Sequence, residues 1–104
     1  HPSAAKSWMA FDSTATIARS FNVASVTDNG VGNWSPVFTT DQTNTAYSVE
    51  ATCQSATSAT AATTYVAQIL SKLSTGFNVV AQRVSDGAQT DVDNMHCAVF
   101  GDHA

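Results

Sequence analysis

The sequence predicts an all-β fold, a sandwich or barrel, on three observations. Strand-like runs recur at short intervals, turn residues separate them, and in the clearest run apolar and polar side chains alternate strictly. The first strand opens at Trp8, which reads as a core residue. Phe21 to Thr27 and Trp34 to Thr40 read as a hairpin, because Asp28-Asn29-Gly30 and Gly32-Asn33 between them tolerate positive φ. Pro36 has no N–H to give a ladder, so its strand is expected at a sheet edge or with a bulge. In Tyr47 to Cys53 the residues Tyr47, Val49, Ala51 and Cys53 alternate with Ser48, Glu50, Thr52 and Gln54, one face for core and one for water.

Ala56 to Leu73 reads two ways. Val66, Ile69, Leu70 and Leu73 stand at helical spacing, whereas Tyr65, Ala67 and Ile69 fit a strand, with Thr63 and Thr64 adding β propensity. Ser55 to Thr64 is a low-complexity Ser, Thr and Ala stretch that reads as a loop. Phe77 to Val84 places Phe77, Val79 and Ala81 on one face and Val80 and Val84 on the other, and Ser85-Asp86-Gly87 ends it. Met95 to Phe100 is apolar on both faces and is expected to be covered twice, by the core and by another layer or chain.

A chain of 104 residues holds one small domain, 1–104, in which residues 1–6 read as linker. With 43% hydrophobic and 12% charged residues its core is thin and its surface poor in charge, so association with other chains is expected. The net charge of -4 and the lack of any basic stretch speak against nucleic acid and anionic membranes as partners. No apolar run is long enough for a membrane span, and the start lacks the basic-then-apolar order of a signal peptide, so the chain reads as a soluble piece of something longer. Cys53 and Cys97 are not spaced as a metal or redox pair and read as buried apolar residues in separate strands, although a single bridge stays open.

No phosphate-binding loop, zinc-protease helix, nucleophile elbow or calcium loop is present. His1 and His103 read as terminal residues and His96 as a strand residue that could ligate a metal only on a threefold axis; no cofactor is expected. Glu50, Asp86, Asp91 and Asp93 are the carboxylates available for glycosidase chemistry, but a domain this small has difficulty enclosing a pocket, so no catalysis is expected. Trp8, Trp34, Tyr47 and Tyr65 are the aromatics able to stack on a sugar ring.

Several segments, in order along nearly the whole chain, resemble a C-terminal domain of bacteriophage tail fibre and tail spike proteins. They are the opening Ser7 to Asp12, the run Phe21 to Gly30, Val37-Phe38-Thr39-Thr40 with Asn44 to Tyr47 after it, Thr75-Gly76-Phe77, and the closing Ala98-Val99-Phe100-Gly101-Asp102. That resemblance implies a lectin-like antiparallel β-sandwich of about six to seven strands at the distal end of a homotrimeric fibre. It also implies that Tyr65 to Lys72 and Phe77 to Val84 are strands of a hairpin about Ser74-Thr75-Gly76. Where that family often has a Gly-Thr-Gly turn after Phe-Asp, this chain has Ser13-Thr14-Ala15.

The implied function is a receptor-binding module that recognises a host cell-surface glycan, carried on the virion and assembled in the bacterial cytoplasm with reduced cysteines. The alternative is a non-catalytic trimerisation cap of a fibre or tail spike depolymerase. The expected binding surface lies on the Asp28 to Trp34 turn, the Ser55 to Thr64 loop and the Ser85 to Asp91 connection. There Trp34 stacks on a sugar and Asp28, Asn33, Arg83 and Asp86 bond its hydroxyls or a charged substituent, the alternative being that Trp34 is core and the polar residues shape turns. The Asp28 to Trp34 turn and the Ser85 to Asp91 connection are expected to converge at one end of the sandwich.

Overall fold

The computed structural model describes residues 5–54 and 64–101. They form two four-stranded antiparallel sheets packed face to face, with no helix among them. The strands are β1 Ser7–Phe11, β2 Ile17–Phe21, β3 Val23–Gly30, β4 Asn33–Phe38, β5 Ser48–Gln54, β6 Tyr65–Leu73, β7 Gly76–Arg83 and β8 Asn94–Phe100. Sheet A runs β2-β1-β8-β5 and sheet B runs β3-β4-β7-β6. The sandwich and most strand positions agree with the sequence reading, as does the β6-β7 hairpin, which turns at Ser74-Thr75. The Ser55 to Thr64 loop lies outside the described residues except for Thr64.

One strand is additional. What reads as a single run from Phe21 is two strands in different sheets, parted at Asn22, whose φ of 58° lies in the left-handed region. Asn tolerates that region better than other side chains bearing a Cβ. Its amide repays the conformation: Nδ2 donates to Ser7 Oγ at 2.9 Å and Thr40 O at 3.0 Å, and Oδ1 accepts from Thr40 N–H at 2.6 Å. One side chain thereby joins β1, the β2-β3 corner and the segment after β4.

Pro36 lies on β4, which is an inner strand flanked by β3 and β7, so the expected edge position is corrected. The missing N–H is accommodated by an interruption. Pairs between β4 and β7 pass from Trp34↔Val79 to Val37↔Gly76 without using Ser35 or Pro36. Within that gap the Asn78 side-chain amide donates to Trp34 O at 2.9 Å and Asn33 Oδ1 at 2.7 Å. Gly76 completes the fit: a Cβ there would stand 2.3 Å from the Pro36 carbonyl oxygen, so only glycine allows the two backbones to approach.

The core lies between the sheets. Met9, Phe11, Met95, Cys97 and Val99 come from sheet A, Trp34, Phe38, Phe77, Val79 and Ala81 from sheet B, and Tyr47 and Val92 from the connections. Phe11 meets Trp34 edge-on at 5.7 Å and Phe38 meets Tyr47 edge-on at 5.5 Å, geometries that the ring quadrupoles favour. Trp8 faces the other way. It is 41% exposed on the outer side of β1, so the core role expected of it belongs to Met9 and Phe11 instead. Met95 to Phe100 buries Met95, Cys97 and Val99, while His96 is exposed and Ala98 and Phe100 are only half-buried.

Asn22→Gly keeps the corner's backbone freedom and removes its side-chain bonds, so urea denaturation should show a loss of about 2–4 kcal/mol. Asn22→Ala should lose about 1 kcal/mol more, because Ala pays for the positive φ as well. Equal midpoints for the two variants would show that the backbone conformation contributes nothing.

Candidate functional site

The two connections expected to converge do meet. Asp91 Oδ1 accepts the Gly32 N–H at 2.8 Å, and Ala81 N–H donates to Gly32 O at 2.9 Å, so the β3-β4 turn rests on the β7-β8 connection. Gly32, with φ 67°, has no room for a Cβ, which would stand 2.5 Å from the Thr90 nitrogen. The side chains proposed for binding at this end are nevertheless engaged in building it. Asp28 Oδ1 accepts the Gly30 N–H at 3.0 Å, and Asn33 Oδ1 accepts from Asn78 and from Asn29. Arg83 donates to both oxygens of Asp86, at 3.1 and 2.7 Å, and Asp86 also takes the Ala88 N–H.

Of the two roles open to Trp34, core and sugar platform, the structure shows the core. Its exposure is 0%, and its Nε1–H donates to the Ser13 carbonyl at 3.0 Å, so the ring ties sheet B to the β1-β2 turn and has no face for a sugar. Arg83 and Asp86 largely neutralise one another, which leaves Asp28 and Asn33 as turn residues without an aromatic platform beside them. The five residues share one end of the sandwich, Trp34 buried within it and the other four bonded to their neighbours at its surface.

The β1-β2 turn is secured by one carboxylate. Asp12 Oδ1 accepts from Thr14 N–H, Thr14 Oγ1 and Thr16 N–H at 2.7–3.0 Å, and Ala15 takes φ 67° to close the turn, so Ser13-Thr14-Ala15 turns the chain without glycine.

The outer face of sheet A carries what the sequence reading missed. Trp8 pairs directly with Phe21, which is 50% exposed, and on its other side with Ala98, which pairs with Glu50. Side chains directly opposite in antiparallel strands share a face, so Phe21, Trp8, Ala98 and Glu50 form one row. Arg19, Ala10, His96 and Thr52 form the next. The small Ala98 leaves a shallow depression of about 270 Å³ bordered by Glu50, Thr52 and His96. In sequence, Trp8-Met9-Ala10-Phe11 is apolar in both phases, so alternation gives no sign of which pair points outward.

The outer face of sheet B differs in kind. Val37, Val66, Leu70 and Leu73 are exposed there. The polar positions sharing that face are Ser25, Thr27, Asn33, Ser35, Gln68, Ser71, Asn78 and Gln82, none of them charged. Another concavity, about 400 Å³, runs between edge strands β5 and β6 along Val49, Ile69 and Lys72. The Lys72 ammonium donates to the Tyr47 carbonyl at 2.6 Å and lies over the Tyr47 ring. Among the described residues no three His, Cys, Asp or Glu side chains gather as a metal site.

Cys53 and Cys97 are free thiols on neighbouring strands of sheet A. Cys97 pairs with Ala51 and Cys53 with Met95, a diagonal relation that sets Cα atoms roughly 7–8 Å apart, wider than a disulfide spans. Burial pushes the Cys97 thiol up to about 12 and raises that of Cys53 as well. A maleimide at pH 8 should leave Cys97 unlabelled in the native chain, and both cysteines should react once it is denatured without reductant. Mass spectrometry reads the result, and no labelling after denaturation would mean a bridge.

Hydrogen bonds from Arg83 hold Asp86 at about 2, with a further contribution from the Ala88 N–H. Thr14 and Thr16 lower Asp12 in the same way. Both carboxyls titrate lower folded than unfolded, so their stabilisation is present above the unfolded carboxylate range and lost as the pH falls, for Asp86 as it passes through about 2. The melting temperature should drop over the same fall in pH, and Asp86→Asn should make the drop shallower. An unchanged acid limb in the variant would assign the loss to other groups.

Set beside known protein families, curated proteins and solved structures, the chain matches none of them.

Proposed function

We propose that this chain is the distal receptor-binding module of a phage tail fibre or tail spike and recognises a glycan on the host surface. The eight-stranded sandwich and its β6-β7 hairpin agree with the architecture that the resemblance implies. The observation that carries the reading is the contrast between the two outer faces. A pure trimer cap needs apolar surface only where chains meet, whereas a recognition tip also presents aromatic and polar groups to solvent. Sheet B offers the first kind of face, aliphatic and uncharged, and sheet A offers the second, with Trp8 and Phe21 beside Arg19, His96 and Glu50.

The trimerisation cap remains the second reading because Val37, Val66, Leu70 and Leu73 suit contact between copies of this chain. Light scattering after size exclusion should give a mass near three times that of the chain, and Leu73→Asp should lower it. The labelled trimer should bind host cells or a glycan array. A trimer that binds neither is a cap, and a stable wild-type monomer removes the fibre assignment.

A further inference from the structure

Resting on the glycan-recognition reading, we propose that the outer face of sheet A binds an acidic oligosaccharide, with Trp8 stacked on a pyranose face and Arg19 paired with the sugar's carboxylate. The indole is available: Trp8 is the exposed member of a chain with two tryptophans, the other being sealed in the core. Phe21 directly across extends the aromatic surface over two strands, and Ala10 and Ala98 beside it leave the ring face unobstructed. The C–H face of a pyranose packs on such a plane, and polar neighbours then fix its orientation.

Charge selects the class of sugar. Of the four basic residues, Arg83 is bound to Asp86, Lys72 is bound to the Tyr47 carbonyl, and Lys6 is engaged elsewhere. Arg19 alone among the described residues presents a guanidinium with no side-chain partner, one diagonal step from Trp8 and in the same row as His96. A diagonal step is roughly 7–8 Å, within reach of a long side chain. On a chain of net charge -4 an anion is held only where a cation is local, and the planar guanidinium matches a carboxylate with two parallel hydrogen bonds. Glu50, at the far end of the Trp8 row, repels a carboxylate and accepts hydroxyls, so the sugar lies with its acid group toward β2 and its hydroxyls toward β5.

The test uses the intact chain on a glycan array that carries sialylated and uronate-containing members beside neutral ones, followed by titration of the best binder. Binding should concentrate on acidic members, weaken as salt is raised, and protect Trp8 from acrylamide quenching while Trp34 stays silent. Trp8→Ala and Arg19→Ala should each weaken it by about tenfold or more, with Arg19→Lys between Arg19→Ala and the wild type. Arg19 is fully at the surface, so its variants should melt near the wild type, and they test binding apart from any stability that Trp8→Ala loses with its cross-strand packing.

Binding confined to neutral glycans overturns the proposal, as does acidic-glycan binding that survives both alanine variants. In either case recognition by the module still stands, with its site elsewhere. A wild-type chain that binds no glycan and no host cell overturns the broader reading too. If Trp8→Ala instead dissociates the assembly, the face is a contact between copies and the proposal falls.

Discussion

The sandwich depends on how abruptly the chain leaves one sheet for the other at Asn22. Strand β2 ends at Phe21 in sheet A and β3 begins at Val23 in sheet B, so a single residue makes the crossing. Left-handed backbone at that residue redirects the chain, and the amide then fastens the corner to β1 and to the segment after β4. The corner fixes which sheet edges lie together, β2 beside β3. The opposite edges, β5 and β6, are held by a different device.

That device is Tyr47, placed just before β5. Its hydroxyl stands 2.8 Å from the carbonyls of both Leu73 and Gly76, so its one proton serves the base of the β6-β7 hairpin while its ring packs on Phe38. Burial raises its ionisation to about 12, which keeps the phenol a donor throughout the physiological range. Trp34 works in the same manner at the other end, an apolar ring inside and one N–H on a backbone carbonyl. Amphipathic aromatics suit a thin core, because each fills volume and satisfies an otherwise unpaired backbone group. Gln42 stands apart: it is 2% exposed and its side-chain amide has no hydrogen-bond partner among the described residues.

Much of this was legible in the residues. Strict alternation in Tyr47 to Cys53 gave the inward face of β5, and Asn and Gly punctuation gave the β3-β4 hairpin. Runs that are apolar in both phases were not legible, because a period of two cannot choose between equal faces. Trp8-Met9-Ala10-Phe11 is such a run, and the choice falls to the paired strand, where Cys97 and Met95 line the core opposite Met9 and Phe11. Pro36 misled for a related reason. The rule that confines proline to edges describes a missing donor, and Asn78 and Gly76, some forty residues on in sequence, remove the need for that donor. The roles of the loop residues were not legible either, because Asp and Asn serve turns and ligands with the same atoms. Only the geometry shows that Arg83 and Asp86 have already spent theirs on each other.

The contrast between the faces follows from scarcity. A chain with two tryptophans that commits one to the core has a single indole left for solvent, and a chain with four basic residues that ties Arg83 and Lys72 internally has few cations to display. Both remaining assets, Trp8 and Arg19, stand on sheet A. Sheet B, by contrast, is left with aliphatic and neutral polar groups, which bury against a like surface without desolvating any charge. Contact between copies through sheet B would leave sheet A open to solvent, so assembly and recognition would not compete for the same surface. Had Trp8 and Met9 exchanged phases, the indole would have filled the core and Met9 would have taken its outward place, an apolar side chain without an aromatic plane.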